Sequence, residues 1–160
     1  MAAESNPPGD IPDSVQFVRY TSPSGGYSLE VPEGWARSES GSGVAFADKL
    51  TSIRVEVQPA TGAPTPEQVR SGSEPALAAG VRAFKEVAVQ TASLPAGLAV
   101  LLRYQANSDP DQVTGRQVRL EVDRYEIFHD GRLVVVSMSA PAGSDNVDVW
   151  RRVSRSVRIA

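Results

Sequence analysis

The chain has 160 residues, 41% hydrophobic and 22% charged, which is typical of one globular domain that buries about two-thirds of the surface of its unfolded chain. Its formal net charge of -3 excludes a global basic field of the kind that binds nucleic acid or anionic lipid. The absence of cysteine excludes disulfides, thiolate metal sites and cysteine nucleophiles.

Residues 1–15 are rich in proline, serine, aspartate and alanine. They bury too little apolar surface to offset the entropy lost on ordering and predict a flexible tail, followed by a single domain at 16–160. No apolar run is long enough to span a membrane. The tail favours a tethered, extracytoplasmic domain whose anchor lies outside this sequence, whereas the lack of an export signal favours the cytoplasm, and both locations stay open.

The first half of the domain alternates apolar and polar residues with the period of β-strands. Strands are predicted at 17–21, 27–31, 44–47 and 52–58. In "VPEGW", residues 31–35, a type I turn places Trp35 beside the apolar face of the second strand as a core anchor. An exposed tryptophan that grips a ligand is the alternative. The polar stretch "RSESGSG" that follows predicts a loop.

The stretch "TPEQV" at 65–69 predicts the start of a helix. The Thr65 hydroxyl can cap the first turn, Pro66 suits that turn, and Gln68 completes a capping box. Gly72 and Pro75 predict a kink or two short helices. One face of this segment carries side chains at spacings of three or four residues: Val69, Ser73, Leu77, Val81 and Phe84.

Longer strands are predicted at 85–93, 98–105 and 116–128, and an Asp-Gly turn at 130–131 leads into a fourth at 133–140. Within the third strand, the apolar positions change parity after Val122, which predicts a β-bulge near Asp123 or Arg124.

A closing helix capped by Ser144 or Asp145 is predicted to bury one face. That face consists of Val147, Trp150, Val153 and Val157. The order of elements favours an α+β fold, an antiparallel β-sheet flanked by helices.

Candidate metal and triad residues have ordinary structural interpretations. A Ser-His-Asp triad would need the single histidine, His129, which stands beside the turn and is interpreted as an exposed turn residue. Asn107, Asp109 and Asp111 alternate as in a calcium loop, but the central glycine and the twelfth-position glutamate are missing. A solvated hairpin loop is favoured.

Charged residues on the strands allow two further hypotheses. A catalytic carboxylate pair could form across the sheet, although alternation places most acids on the polar face. The acids concerned are Glu56, Glu121, Asp123 and Glu126. A basic stripe could dock an acidic partner, but a self-neutralised solvent face is favoured. The basic residues are Arg103, Arg116, Arg119 and Arg124. The sequence therefore assigns no catalytic, cofactor-binding or metal-ligating residue.

Three segments, "GYSLEVPEGW", "DGRLVVVSMSAP" and "VDVWRRVSRSVRI", resemble the PsbP-like superfamily over about residues 17–159. The positions that carry the resemblance are Tyr27, Pro32, Gly34, Trp35, Gly131 and Trp150. This superfamily includes the extrinsic photosystem II protein, the Ran-binding import factor Mog, bacterial envelope lipoproteins and the Eag chaperones of type VI secretion. The resemblance implies an α/β/α sandwich and binding of other proteins without catalysis. Actinobacteria-like Arg, Ala and Gly usage favours a bacterial member over a photosynthetic or Ran-binding one.

Three functions stay open at this point. The leading hypothesis is a non-enzymatic protein-binding or accessory module, either a chaperone or adaptor or an envelope-associated domain, with no cofactor. The alternative is a carrier of a small apolar molecule or lipid, which predicts an enclosed apolar pocket beneath residues 69–84. A hydrolase based on two carboxylates is the third.

Overall fold

The structure is a computed structural model that describes residues 9–160. Within that range the strands are β1 (Phe17–Thr21), β2 (Tyr27–Pro32), β3 (Ala36–Ser40), β4 (Gly43–Asp48), β5 (Thr51–Pro59), β6 (Arg82–Leu94), β7 (Gly97–Asn107), β8 (Arg119–His129), β9 (Arg132–Pro141) and β10 (Arg158–Ile159). The helical segments are α1 (Pro66–Gln68), a π-helical turn at Val69–Ser73, α2 (Glu74–Gly80) and α3 (Val147–Ser156).

The strands form two antiparallel sheets. The large sheet has seven strands in the order β3-β4-β5-β9-β8-β7-β6, and the small sheet has the order β1-β2-β10. This arrangement confirms the predicted antiparallel sheet. Hairpins connect most neighbouring strands, so their pairing follows the chain order.

Different layers cover the two faces of the large sheet. On one face, Leu29 of the small sheet and Val153 of α3 join Ile53 and Met138 in the main apolar cluster. On the other face, Val69 of the helical segment packs in a second cluster on β6, β7 and β8. The expected α/β/α sandwich is not found in that form, because the small sheet shares one covering layer with α3.

The strand β3 was missed by sequence analysis, which predicted a loop after Trp35. Every residue of Ala36–Ser40 is exposed, and β3 pairs with β4 alone at one edge of the sheet. A strand that buries neither face shows no apolar alternation, so the pattern by which strands are recognised is absent.

The predicted bulge in β8 is also wrong. Pairing with β7 and β9 is continuous through Asp123 and Arg124. Arg124 and Glu126 take the buried positions that follow Val122 on one face and are 8% and 4% exposed. They form an ion pair with 2.9 Å between Arg124 Nη1 and Glu126 Oε2, and the Ser73 hydroxyl donates a second hydrogen bond to the same oxygen at 2.8 Å. The register irregularities lie in β6 instead, on either side of Lys85 and Glu86.

The start of the first helical segment is confirmed. The Thr65 hydroxyl accepts from the amide of Gln68, whose side chain accepts from the amide of Thr65. The predicted kink is the π-helical turn at Val69–Ser73, and Pro75 lies in the first turn of α2. On the predicted face, the Ser73 hydroxyl donates a hydrogen bond to the buried Glu126 carboxylate. The face is polar at this position because a buried carboxylate needs a hydrogen-bond donor.

The start of α3 differs from the prediction. Its N-cap is Asn146 instead of Ser144 or Asp145. The Asn146 side chain accepts a hydrogen bond from the amide of Ile11 and donates one to the carbonyl of Gly9. Val147 is 61% exposed, and Val149 packs on the core in its place.

The contacts of Asn146 with Gly9 and Ile11 change the extent of the predicted flexible tail. Residues 1–8 of it lie outside the described part of the chain. Ile11 is buried, and the carboxylate of Asp10 accepts from the amide of Asp145. Residues 9–11 are therefore docked on the loop that precedes α3, closer to the domain than the composition of 1–15 indicates.

The buried ion pair in β8 generates a stability prediction. Arg124→Leu leaves the Glu126 carboxylate buried with only the Ser73 hydroxyl, and we expect it to lower the free energy of unfolding by about 3–5 kcal/mol. The double variant Arg124→Leu/Glu126→Leu removes both charges and is expected to recover most of that loss. Urea unfolding measures both values. If the free energy of unfolding of Arg124→Leu lay within about 0.5 kcal/mol of wild type, this role of the pair would be contradicted.

Candidate functional site

A groove of about 690 Å³ separates α3 from the β6–β7–β8 end of the large sheet. Trp150 and Ser154 line it from α3, Ala92 and Leu94 from β6, and Leu101 from β7. The groove exists because α3 covers the middle of this face and leaves the strands nearest the edge uncovered. It therefore has a sheet floor, one helical wall and one open side.

Part of the groove floor and part of its rim are apolar. Leu101 is 4% exposed, and Tyr125 and Trp150 pack partly buried against the main cluster. Burial, and then the nearby Asp123 charge, raise the pKa of Tyr125. At the rim, Val87 and Val147 are 51% and 61% exposed. Exposed apolar side chains above a buried apolar floor are typical of protein-binding surfaces.

On the sheet side of the groove, Arg103 and Asp123 neutralise one another, whereas Glu121 is contacted only by a neutral side chain. The Arg103 guanidinium donates to both carboxylate oxygens of Asp123 at 2.8 and 3.3 Å, and this pairing raises the pKa of Arg103. Gln105 donates to Glu121 at 3.5 Å. Outside the groove, Arg119 donates to the Ala83 carbonyl. The Arg103–Asp123 pair agrees with the self-neutralised solvent face favoured above, but Arg124 lies on the opposite face, where it is buried and pairs with Glu126.

The helical wall is positively charged. Arg151 approaches Asp148 only at 3.9 Å, and both side chains are mostly exposed. Arg155, which also lines the groove, forms no ion pair with any residue of the described range. Two cations near the end of α3 thus face the open side of the groove without strong partners.

The strand β6 is an edge of the large sheet and forms the open side of the groove. From Ala88 to Leu94 it pairs without interruption with β7. Within residues 9–160, these seven residues make no backbone hydrogen bond to any other element. An edge with unpaired N–H and C=O groups can accept a further strand.

The residues considered for metal binding or a triad lie apart from the groove and have partners of their own. His129 was expected to be an exposed turn residue, but it is half-buried at the end of β8, where it pairs with Arg132 across the turn. Asp130 and Gly131 have φ of 51° and 83°, which confirms the predicted Asp-Gly turn. Asp109 pairs with Arg82 at 3.4 Å.

The other two members of the calcium-like triplet are also bonded locally. The amides of Val113 and Thr114 donate to the Asp111 carboxylate and lower its pKa. Asn107 donates to the side chain of Gln117. The described residues contain no cluster of three or more metal-ligating His, Asp or Glu side chains.

The four candidate carboxylates do not meet at one site, and the two that share the groove lie on one strand, where Asp123 is paired with Arg103. Glu121 and Asp123 line the groove, Glu126 is buried on the opposite face, and Glu56 is exposed on β5.

A different acid pair was missed by the sequence analysis. Burial raises the pKa of Glu74, and a hydrogen bond and like charge from Glu86 raise it further. Glu86 also pairs with Arg70 at 3.4 Å. Glu74 and Glu86 are brought together by α2 and β6, and no sequence spacing indicates that contact. Neither residue lines the groove.

Two other expectations concern apolar side chains. Trp35 packs partly buried against the main cluster, as predicted for a core anchor. The enclosed apolar pocket expected beneath residues 69–84 is not found in the described chain. Val69 packs with Leu102 and Val122 beneath the first part of this segment. Beneath Leu77 and Val81 lies a cavity whose lining is largely polar.

Among residues 9–160, no helix has the length and apolar character that crossing a bilayer requires.

No protein-family model matches this chain, and no curated protein matches its sequence significantly. The solved structures that are similar to it include the following three. The solution structure of cyanobacterial PsbP (CyanoP) from Synechocystis sp. PCC 6803 has a TM-score of 0.63 at 14% identity, covering 95% of this chain and 98% of that one. PA94 from Pseudomonas aeruginosa, a protein of unknown function and putative regulator, has a TM-score of 0.56 at 15% identity, covering 88% and 94%.

The third structure is LpqN, involved in cell envelope biogenesis of Mycobacterium tuberculosis. Its TM-score is 0.52 at 17% identity, and the match covers 92% of each chain. The chain has a PsbP-like fold. Identities this low show the fold alone, so the PsbP-like expectation is confirmed at that level.

The raised pKa of Glu74 generates a pH prediction. The folded chain binds the Glu74 carboxyl proton more tightly than the unfolded chain does, so protonation of Glu74 stabilises the fold. This stabilisation is complete below the ordinary glutamate pKa and is lost as pH rises through the pKa of Glu74 in the folded chain. At neutral pH, which is above the ordinary glutamate pKa, the raised pKa therefore costs the fold stability. Glu74→Gln is therefore expected to raise Tm at pH 7 and to leave it nearly unchanged at pH 4.

Thermal unfolding at the two pH values measures this effect. The exposed Glu33 supplies the control, and Glu33→Gln is expected to behave like wild type at both pH values. A Glu74→Gln variant with lower Tm at pH 7, or with equal shifts at both pH values, would contradict the assignment.

Proposed function

We propose that this protein is a non-enzymatic accessory module that binds an extended segment of another protein in the groove between α3 and β6. The observation that carries the proposal is the position of the free edge of β6 directly beside an apolar floor. Backbone pairing and side-chain burial are therefore available to the same bound segment.

A segment added to β6 would pair with Ala88–Leu94, about seven residues or roughly 23 Å of strand. Alternate side chains of a strand point to opposite faces, so every second residue would enter the groove and contact Leu94, Leu101 or Trp150. The irregularity between Glu86 and Ala88 would end the pairing at that side.

The charges around the groove indicate which kind of peptide segment would bind there. Residues Ala88–Leu94 contain no charged side chain, whereas Arg151 and Arg155 face the groove from α3. A fitting segment has apolar residues at alternate positions and an acidic residue directed toward α3. Such complementarity increases the association rate and fixes the register of binding.

The solved structures support an envelope-associated setting by analogy of fold. LpqN is described as involved in cell envelope biogenesis, and the N-terminal composition suits a tether. We place the protein, as part of the same proposal, in a bacterial envelope as a lipoprotein-like domain.

The partner can be recovered with a photo-reactive amino acid placed at position 147 in the native host. The same amino acid at position 113 is the control, because Val113 is 93% exposed and lies outside the groove. The crosslinked peptide identifies the bound segment, which is then synthesised and labelled.

Variants of the rim test the proposal with that peptide. Val147→Glu and Arg155→Glu are each expected to weaken binding about tenfold, which corresponds to about 1.4 kcal/mol, through lost apolar contact and reversed charge respectively. Fluorescence anisotropy measures the affinities.

Val113→Glu and Arg116→Glu introduce the same changes at exposed positions outside the groove and are expected to stay within twofold of wild type. Equal affinities for the groove variants and these controls would rule the groove out as the binding site.

A further inference from the structure

A second cavity lies on the opposite face of the large sheet. It has a volume of about 540 Å³ and separates the β5–β9–β8 part of that face from α2 and the start of β6. Leu77 lines it from α2 and Val81 from the residue that follows α2, and Ala106 and Leu120 line it from the sheet. The remaining lining is dominated by polar side chains.

The strand register arranges those polar side chains in rows. Arg54 on β5 pairs with Ser137 on β9, and Ser137 pairs with Arg124 on β8. Directly paired residues of antiparallel strands project from the same face with about 5 Å between their Cβ atoms. Two guanidinium groups therefore flank one hydroxyl.

The neighbouring row adds further hydroxyl groups. Ser52 pairs with Ser139, and the row continues through Val122 to Tyr104. Tyr104 is 6% exposed, and burial raises its pKa, so its hydroxyl keeps its proton and can donate. Ser52, Ser139 and Tyr104 all line the cavity.

These donors have little to bind within residues 9–160. The side chains of Arg54, Ser137 and Ser139 make no hydrogen bond or ion pair there, and the Tyr104 hydroxyl makes none either. Arg124 uses one of the five N–H groups of its guanidinium for Glu126. A set of convergent donors without acceptors fits a ligand that brings its own acceptor oxygens.

The charges of the lining favour an anion. Arg54, Arg82 and Arg124 stand against Glu56 and Asp109. Asp109 is engaged by Arg82 at 3.4 Å, and Arg124 is held in a fixed position by the buried Glu126. Once Glu126 is counted as the partner of Arg124, cations and acids are equal in number, so the preference for an anion depends on Arg54, which has no ion-pair partner within residues 9–160, and on the preorganised guanidinium of Arg124.

We propose that this cavity binds a small organic anion. Its carboxylate or phosphate group lies between Arg54 and Arg124 over Ser137, and a short apolar body lies against Leu77 and Leu120. The site is beside the helical segment, where sequence analysis expected an apolar pocket, but its chemistry selects a charged head group. It faces away from the groove at α3, so it is independent of the protein-binding proposal.

Titration of the ¹⁵N-labelled protein with acetate, hexanoate and inorganic phosphate, at matched ionic strength, tests the proposal. Saturable shifts are expected at the amides of Arg54, Ser137 and Ser139, with hexanoate binding about tenfold tighter than acetate because of its longer apolar chain. If phosphate binds more tightly than acetate, the head group of the ligand is a phosphate. If acetate binds more tightly, the head group is a carboxylate. No saturable shift with any of the three probes would overturn the proposal.

Variants separate a built site from general charge attraction. Arg54→Gln is expected to weaken binding of the tightest probe about tenfold. Ser137→Val is expected to have the same effect, because it removes the hydroxyl while valine is well tolerated in a β-strand. Arg158→Gln, an exposed arginine on β10 of the small sheet, is the matched control and is expected to bind within twofold of wild type. Equal losses in Arg54→Gln and Arg158→Gln would overturn the proposal as well.

Discussion

The unbroken register of β8 is the constraint on which the rest of the structure depends. It directs Tyr125 and Ile127 to the face covered by α3 and directs Arg124 and Glu126 to the other face. A slip of one residue would exchange every side chain between the faces. The charged pair is accommodated because each partner satisfies the other and the Ser73 hydroxyl joins them from the helical segment. The register therefore also ties the helical segment to the sheet.

The two faces acquire different chemistry from this register. On the α3 face, the uncovered strands next to the edge leave a groove with an apolar floor and an adjacent free backbone edge. On the other face, the continuation of the charged row through Ser137 to Arg54 leaves a polar cavity beside the helical segment. The first suits an extended peptide and the second a small anion, and the sheet between them keeps the two proposals physically separate.

Much of the fold could be predicted from the sequence, because alternation, the Thr65–Gln68 capping box and the Asp-Gly turn are local signals. The strand β3 could not, since an exposed edge strand has no apolar face. The parity of β8 was misinterpreted because charged side chains were assigned to solvent. Asn146 caps no amide of α3 with its side chain, since contacts with residues 9–11 hold that side chain elsewhere. The groove and cavity combine residues distant in sequence, so no single motif indicates them.

Amide hydrogen exchange of the protein with and without its bound partner segment tests the central claim, strand addition at β6, most directly. We expect alternate amides within Ala88–Leu94 to exchange about tenfold more slowly in the complex. The amides of β3, at the other edge of the same sheet, are predicted to keep their free rates. Unchanged exchange at β6 in a saturated complex, or protection at β3 instead, would show that the bound segment does not add a strand to β6.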